Sequence, residues 1–163
     1  MTNVLLTVAD SHGTIPLIRH LKENGYTVYG ADMNPNAVGR FFVEKFFKLP
    51  SQDNPLYINT LLEIVRENKI RVLIPAGELE CLKIAKSRNK FKSINCEPVI
   101  ANETTLKLSL EKIDSFDFLS RETNIPFMQY HSVKSLEDLE EGLQKLGGLC
   151  LALKPSVGSG SRG

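Results

Sequence analysis

A chain of 163 residues with 20 Lys and Arg against 19 Asp and Glu, 42% hydrophobic and 24% charged, has the composition of a soluble globular fold holding one domain, or one domain and part of a second. Near-zero net charge argues against a protein that grips nucleic acid or a membrane surface by bulk electrostatics. No apolar run approaches the roughly 20 residues that cross a bilayer, and the start, Met1 to Leu6, lacks the basic stretch of a signal peptide.

Val4 to Val8 is a short apolar run suited to a strand covered on both faces. Asp10-Ser11-His12-Gly13 punctuates it, and Ile15, Leu17, Ile18 and Leu21 follow at helical spacing until Asn24-Gly25. Tyr26 to Ala31 reads as a second strand closed by Asp32, and Asn34-Pro35-Asn36 as a turn. Lys45 to Pro50 reads as a short third strand. Asn54-Pro55 reads as an N-cap with Pro at the first helical position, opening a helix through Ile58, Leu61, Leu62 and Val65. Ile70 to Pro75 is a fourth strand, Glu78 to Ser87 a helix, and Pro98 to Ala101 a fifth strand. Strands alternating with helices predict a Rossmann-like α/β fold, a doubly wound parallel sheet, over residues 1–103.

A second unit is expected over residues 104–163. Thr104–Leu110 and Lys112–Thr123 read as helices, Phe127–His131 as a strand, and Leu136, Leu139, Leu143 and Leu146 as the stripe of a helix stopped at Gly147-Gly148. Leu149–Pro155 reads as a strand, followed by Ser156 to Gly163, rich in Gly and Ser. About 60 residues are few for an independent core, so this segment is expected to be incomplete and the chain to be the front part of a larger protein. The three cysteines, Cys81, Cys96 and Cys150, are well separated. Without C-x-x-C spacing they fit reduced thiols in a cytoplasm rather than a disulfide frame or zinc site.

The feature richest in chemistry is Lys154 at a strand end followed by Gly158, Ser159, Gly160 and Ser161. Glycines let main-chain N–H groups approach phosphate oxygens, serines add donors, and the lysine supplies a fixed charge. Gly158 to Gly163 matches G-x-G-x-x-G, but no strand–helix–strand unit follows it, and Lys154 precedes the glycines, unlike a Walker lysine. A flexible tail is the plain alternative.

Leu153-Lys154-Pro155 with Gly158 to Gly163 resembles the nucleotide-binding strand and loop of ATP-grasp ligases, in their carbamoyl-phosphate-synthase-like and amino-acid-ligase-like branches. Glu111 to Leu119 with Asn124-Ile125-Pro126 resembles the lysine-bearing helix of that family and the turn after it. Val28 to Pro35 and Val72 to Pro75 resemble the preATP-grasp domain. The resemblance implies that Lys112 and Lys154 approach the ATP phosphates and that Gly158, Ser159, Gly160 and Ser161 close over them. It also implies an incomplete α+β ATP-grasp subdomain after the Rossmann-like domain. The implied chemistry is activation of a carboxylate as an acyl phosphate by ATP and Mg²⁺, then attack by an amine. Phosphoryl transfer of this kind needs positioning and charge neutralisation more than a protein nucleophile. The family's metal ligands and second half lie downstream of the loop, so no metal site is expected in this chain, and the chain alone is expected to be inactive.

Four residues at strand ends are candidate substrate contacts, because open parallel sheets bind ligands there: His12, Asp32, Glu78 and Glu80. The plain alternatives are a cap or exposed residue for His12, a loop role for Asp32, and helix N-terminal acids for Glu78 and Glu80. The single glycine in Asp10–Gly13 speaks against a nicotinamide site. Phe41, Phe42, Phe46 and Phe47, without interleaved basic residues on one face, read as core and rim packing rather than base stacking, so no nucleic-acid partner is expected. The competing reading is a non-catalytic Rossmann-like ligand-binding or interaction module. Substrate identity and dimerisation are left open by the sequence.

Overall fold

The computed structural model describes residues 1–126, 128–147 and 151–157. They divide into two compact units, Met1–Leu106 and Lys107–Gly163.

In the first unit, strands β1 (Asn3–Leu6), β2 (Thr27–Asp32), β3 (Phe46–Lys48), β4 (Val72–Ile74) and β5 (Glu97–Pro98) form one all-parallel sheet in the order β3-β2-β1-β4-β5. Leu5 sits at its centre, in register with Tyr29 on one side and Leu73 on the other. Helices α1 (Thr14–Glu23), α2 (Tyr57–Glu67), α3 (Glu78–Lys86) and α4 (Arg88–Lys92) complete the unit. Successive strand residues point to opposite faces. Leu5 therefore joins Leu61, Ile64, Val65, Ile84 and Phe91 of α2, α3 and α4, whereas Leu6 packs with Ile18 of α1 and Val28. The sheet is thus covered on both faces, which is why its strands read as continuous apolar runs. Gly39, in a 3-10 turn at Val38–Phe41, lies against the first strand's exit. An added Cβ would sit 2.3 Å from the Ala9 carbonyl, which accepts the Gly39 amide at 3.1 Å.

The element boundaries shift for identifiable reasons. α2 starts at Tyr57, not at Pro55, because Asn54 spends its side chain on a turn: its Oδ1 accepts the Leu56 amide at 2.8 Å and its carbonyl the Tyr57 amide at 3.0 Å. The fifth strand was expected over Pro98–Ala101 and is Glu97–Pro98. Glu97 donates to Arg71, just before β4, and Val99 to Leu73 on β4, which leaves Pro98, lacking a donor, facing the open edge. The Ile100 amide then bonds the Pro98 carbonyl and turns the chain away.

Helix α5 (Glu103–Leu110) spans the division between the units. The second unit also holds α6 (Lys112–Glu122) and α7 (Leu136–Leu146). α7 is framed by local chemistry. The Ser135 hydroxyl accepts the Asp138 amide at 3.1 Å, the Asp138 carboxylate accepts the Ser135 amide at 3.0 Å, and Gly147 ends the helix at φ +56°. The strands expected at Phe127–His131 and Leu149–Pro155 are absent among the described residues: 128–131 and 151–155 are irregular. Apolar runs become strands only when a neighbour completes their ladder, and no described residue of this unit does so. Phe127, Leu149 and Cys150 lie outside the described residues.

Candidate functional site

The strand order reverses between β1 and β4, and in open parallel sheets ligands bind beyond the strand C-termini at such a point. A cavity of about 60 Å³ lies at this end of the first unit, walled by Val8, Asp32, Met33, Leu49, Tyr57 and Glu80. Of the four candidate contacts, the structure brings Asp32 and Glu80 to this cavity and leaves His12 and Glu78 exposed, outside its walls.

Asp32, the last residue of β2, is buried. Its carboxylate accepts the Asp10 amide at 3.0 Å and the Asn34 amide at 2.8 Å. Asp10 extends the network, accepting the Val38 amide at 2.9 Å and the Asn34 side chain at 3.0 Å. Those bonds, the Val38 amide first, hold the Asp10 carboxyl below its usual range. Two strand-end loops are thereby laced together on acidic side chains.

Glu80 lies one turn into α3 and is fully enclosed. Its Oε1 accepts the Gly77 amide at 2.8 Å and the Thr7 hydroxyl, and its Oε2 accepts the Tyr57 hydroxyl. Burial, then the adjacent Glu80 carboxylate, pushes the Tyr57 phenol far above its ordinary value. Burial first, then Glu80 and Glu78, pushes the Cys81 thiol up to about 11, which makes it a poor nucleophile.

Val8 forms the rim at φ +50°, a strained region for a β-branched residue. Its carbonyl is pinned by the Ser11 amide and the Thr14 hydroxyl, both at 3.0 Å. Sequence reasoning missed Thr7, Val8 and Tyr57. The first two read as strand and the third as helix, and nothing local marks the meeting of Thr7 and Tyr57 at Glu80.

In the second unit, Lys112 opens α6, and both its amide (3.0 Å) and its ammonium (3.3 Å) donate to the Ser156 carbonyl. This ties the N-terminus of α6 to the segment that carries Lys154, two residues earlier and exposed. Gly158, Ser159, Gly160 and Ser161 lie outside the described residues. Among the described residues, no three His, Cys, Asp or Glu side chains converge as a metal site, and no helix is long and apolar enough to cross a membrane.

The family described as "PylC-like, N-terminal domain" matches residues 4–100, well over half of the chain. The chain belongs to the PylC-like N-terminal domain family. No curated protein sequence matches it significantly. Among solved structures, this PylC-like chain is similar to the biotin carboxylase domain of Hydrogenobacter thermophilus 2-oxoglutarate carboxylase, a dimer in complex with MgADP, ADP and bicarbonate. There the TM-score is 0.69 and the identity 17%, over 99% of this chain and 36% of that one. It is also similar to Staphylococcus aureus N5-carboxyaminoimidazole synthetase complexed with ADP, with TM-score 0.66 and 14% identity, over 90% of this chain and 36% of that one. The corresponding ribonucleotide synthetase of Thermotoga maritima gives TM-score 0.60 and 18% identity, over 86% and 36%. The family match and these folds agree with the resemblance read from the sequence. At such identities the likeness is one of fold, and the PylC-like chain spans about a third of their length.

Proposed function

We propose that this chain is the N-terminal part of an ATP-dependent carboxylate–amine ligase that works through an acyl phosphate. Residues 1–103 form its preATP-grasp domain, and residues 104–163 begin its ATP-binding domain. The observation that carries the reading is the pair of hydrogen bonds that Lys112 donates, from its amide and its ammonium, to the Ser156 carbonyl. It joins one basic residue to the segment bearing another, Lys154, immediately before the Gly/Ser stretch. Two cations on adjoining segments suit a polyphosphate, whose transfer depends on charge neutralisation.

In this reading Lys112 and Lys154 hold the ATP phosphates, with Gly158, Ser159, Gly160 and Ser161 closing over them. Mg²⁺ would neutralise the phosphoryl group during transfer, and the reading places its ligands outside this chain. The cavity at Asp32 marks the end of the first unit that faces the carboxylate or amine substrate. Exposed Leu136, Leu143, Leu151 and Leu153 support a further half of the ATP-grasp fold as partner, since apolar surface left in water favours a covering layer.

The test is ADP release by the complete protein, with hydroxylamine present to trap an acyl phosphate. ADP release that requires a carboxylate and yields a hydroxamate is expected. ADP release indifferent to every carboxylate, or none at all with any carboxylate and amine pair, contradicts the reading.

A further inference from the structure

The most firmly held side chain at the cleft is an acid in the wall of its cavity. Glu80 is fully enclosed, and among the described residues no Lys or Arg forms an ion pair with it. A buried carboxylate without a cation is tolerated only when donors surround it. Here they come from three separate segments: the Thr7 hydroxyl just after β1, the Gly77 amide in the β4–α3 turn, and the Tyr57 hydroxyl at the first residue of α2. The Thr7 hydroxyl in turn accepts the Ala76 amide at 3.2 Å. Both turns flanking the reversal of strand order therefore hang on one carboxylate.

The turns also brace each other sterically. A Cβ on Gly77 would lie 3.1 Å from Val8 Cγ2 and 2.9 Å from Gln52 Nε2, so Gly77 packs directly against the strained Val8. A glutamine cannot replace Glu80 without loss. Its single oxygen could serve Thr7 and Gly77 and its NH₂ could donate to the Tyr57 hydroxyl, but three bonds to a charged acceptor would become neutral and weaker.

We infer that Glu80 is a positioning residue of the cleft: it fixes the β1–α1 and β4–α3 turns that a bound substrate would meet, and does not touch substrate itself. Its effect on a substrate rests on the ligase reading given above; its hold on the turns stands on the geometry alone.

The test begins with Glu80→Gln in this chain, with Tyr57→Phe as a second variant that deletes only one donor. Site-resolved amide exchange is expected to quicken about tenfold at Ser11 and Gly77, while Val28 and Tyr29 in β2 keep their wild-type rates, because the loss is local. Equal acceleration throughout the first unit would make Glu80 a general stabiliser, and unchanged rates at both turns would remove it from them. Either result overturns the inference. In the complete protein, Glu80→Gln is expected to raise the KM of the small-molecule substrate about tenfold with the ATP Kd unchanged; an unchanged KM overturns the substrate part. A complete protein that binds no ATP would defeat the ligase reading, and the exchange rates would still decide whether Glu80 holds the turns.

Discussion

The two units solve the burial problem differently. In Met1–Leu106 the parallel sheet offers an apolar face on each side, and α1 covers one while α2, α3 and α4 cover the other. Leu5, Leu6, Ile18, Leu61, Leu73, Ile84 and Phe91 consequently lose nearly all contact with water. In Lys107–Gly163, Gly142 alone among the described residues is buried. There Phe116 meets Tyr130 edge-on at 5.2 Å, Tyr130 donates to Asp117, and His131 packs into the space left by Gly142. A sheet supplies the surface that amphipathic helices require. Where the described residues of a unit form no sheet, a stripe such as Leu136, Leu139, Leu143 and Leu146 forms a helix by its caps but leaves much of itself in water.

The largest expected effect comes from attacking that contrast directly. Leu61→Ala in the first core should cost about 2–5 kcal/mol by lost burial and a residual cavity, whereas Leu143→Ala, half exposed on α7, should stay within about 0.5 kcal/mol. Urea unfolding of each variant checks this, and comparable losses would erase the distinction between the units. Next in size, Ser135→Ala should cost α7 about 1 kcal/mol, because the second unit relies on caps where the first relies on packing. Helix content measured against temperature is the readout, and no change would mean that tertiary contacts hold α7.

The smallest effect near neutrality concerns the thiols of the first unit. Burial, then Glu97, raises Cys96 from 9.0 to about 11, and Cys81 rises to about 11 as well. A raised folded pKa adds stability that is fully present below the unfolded value and is lost as pH rises through the folded one. The contribution should therefore be intact at pH 7 and fade between about pH 9 and about 11. Alkylation of Cys96 followed against pH should show the same window; full reactivity at pH 8 would mean the core around Phe91 and Cys96 is open.

Much of this was legible in the sequence because it depends on local pattern. The strand-to-helix alternation before Asn102, the stop at Asn24-Gly25 and the end of α7 at Gly147 are all written within a few residues. The convergence of Thr7, Tyr57 and Glu80 was not, because those side chains are separated by 50 and 23 positions and meet only when the sheet is wound. Asp32 and Glu80 were found as acids at strand ends, but only the fold distinguishes them from His12 and Glu78. The apolar runs at 128–131 and 151–155 misled for the opposite reason. Their composition suits a strand, and strand formation is decided by a pairing partner that composition does not encode.

The proposed function stands or falls on Lys154. ATP titration by calorimetry, on the complete protein and on its Lys154→Ala variant with thermal melts alongside, measures that residue's contribution most directly. An ammonium donating to phosphate from an exposed position should be worth about 10- to 150-fold in ATP affinity, with melting nearly unchanged because the side chain is exposed. Equal affinities in the two proteins would contradict the account and remove Lys154 from the nucleotide site.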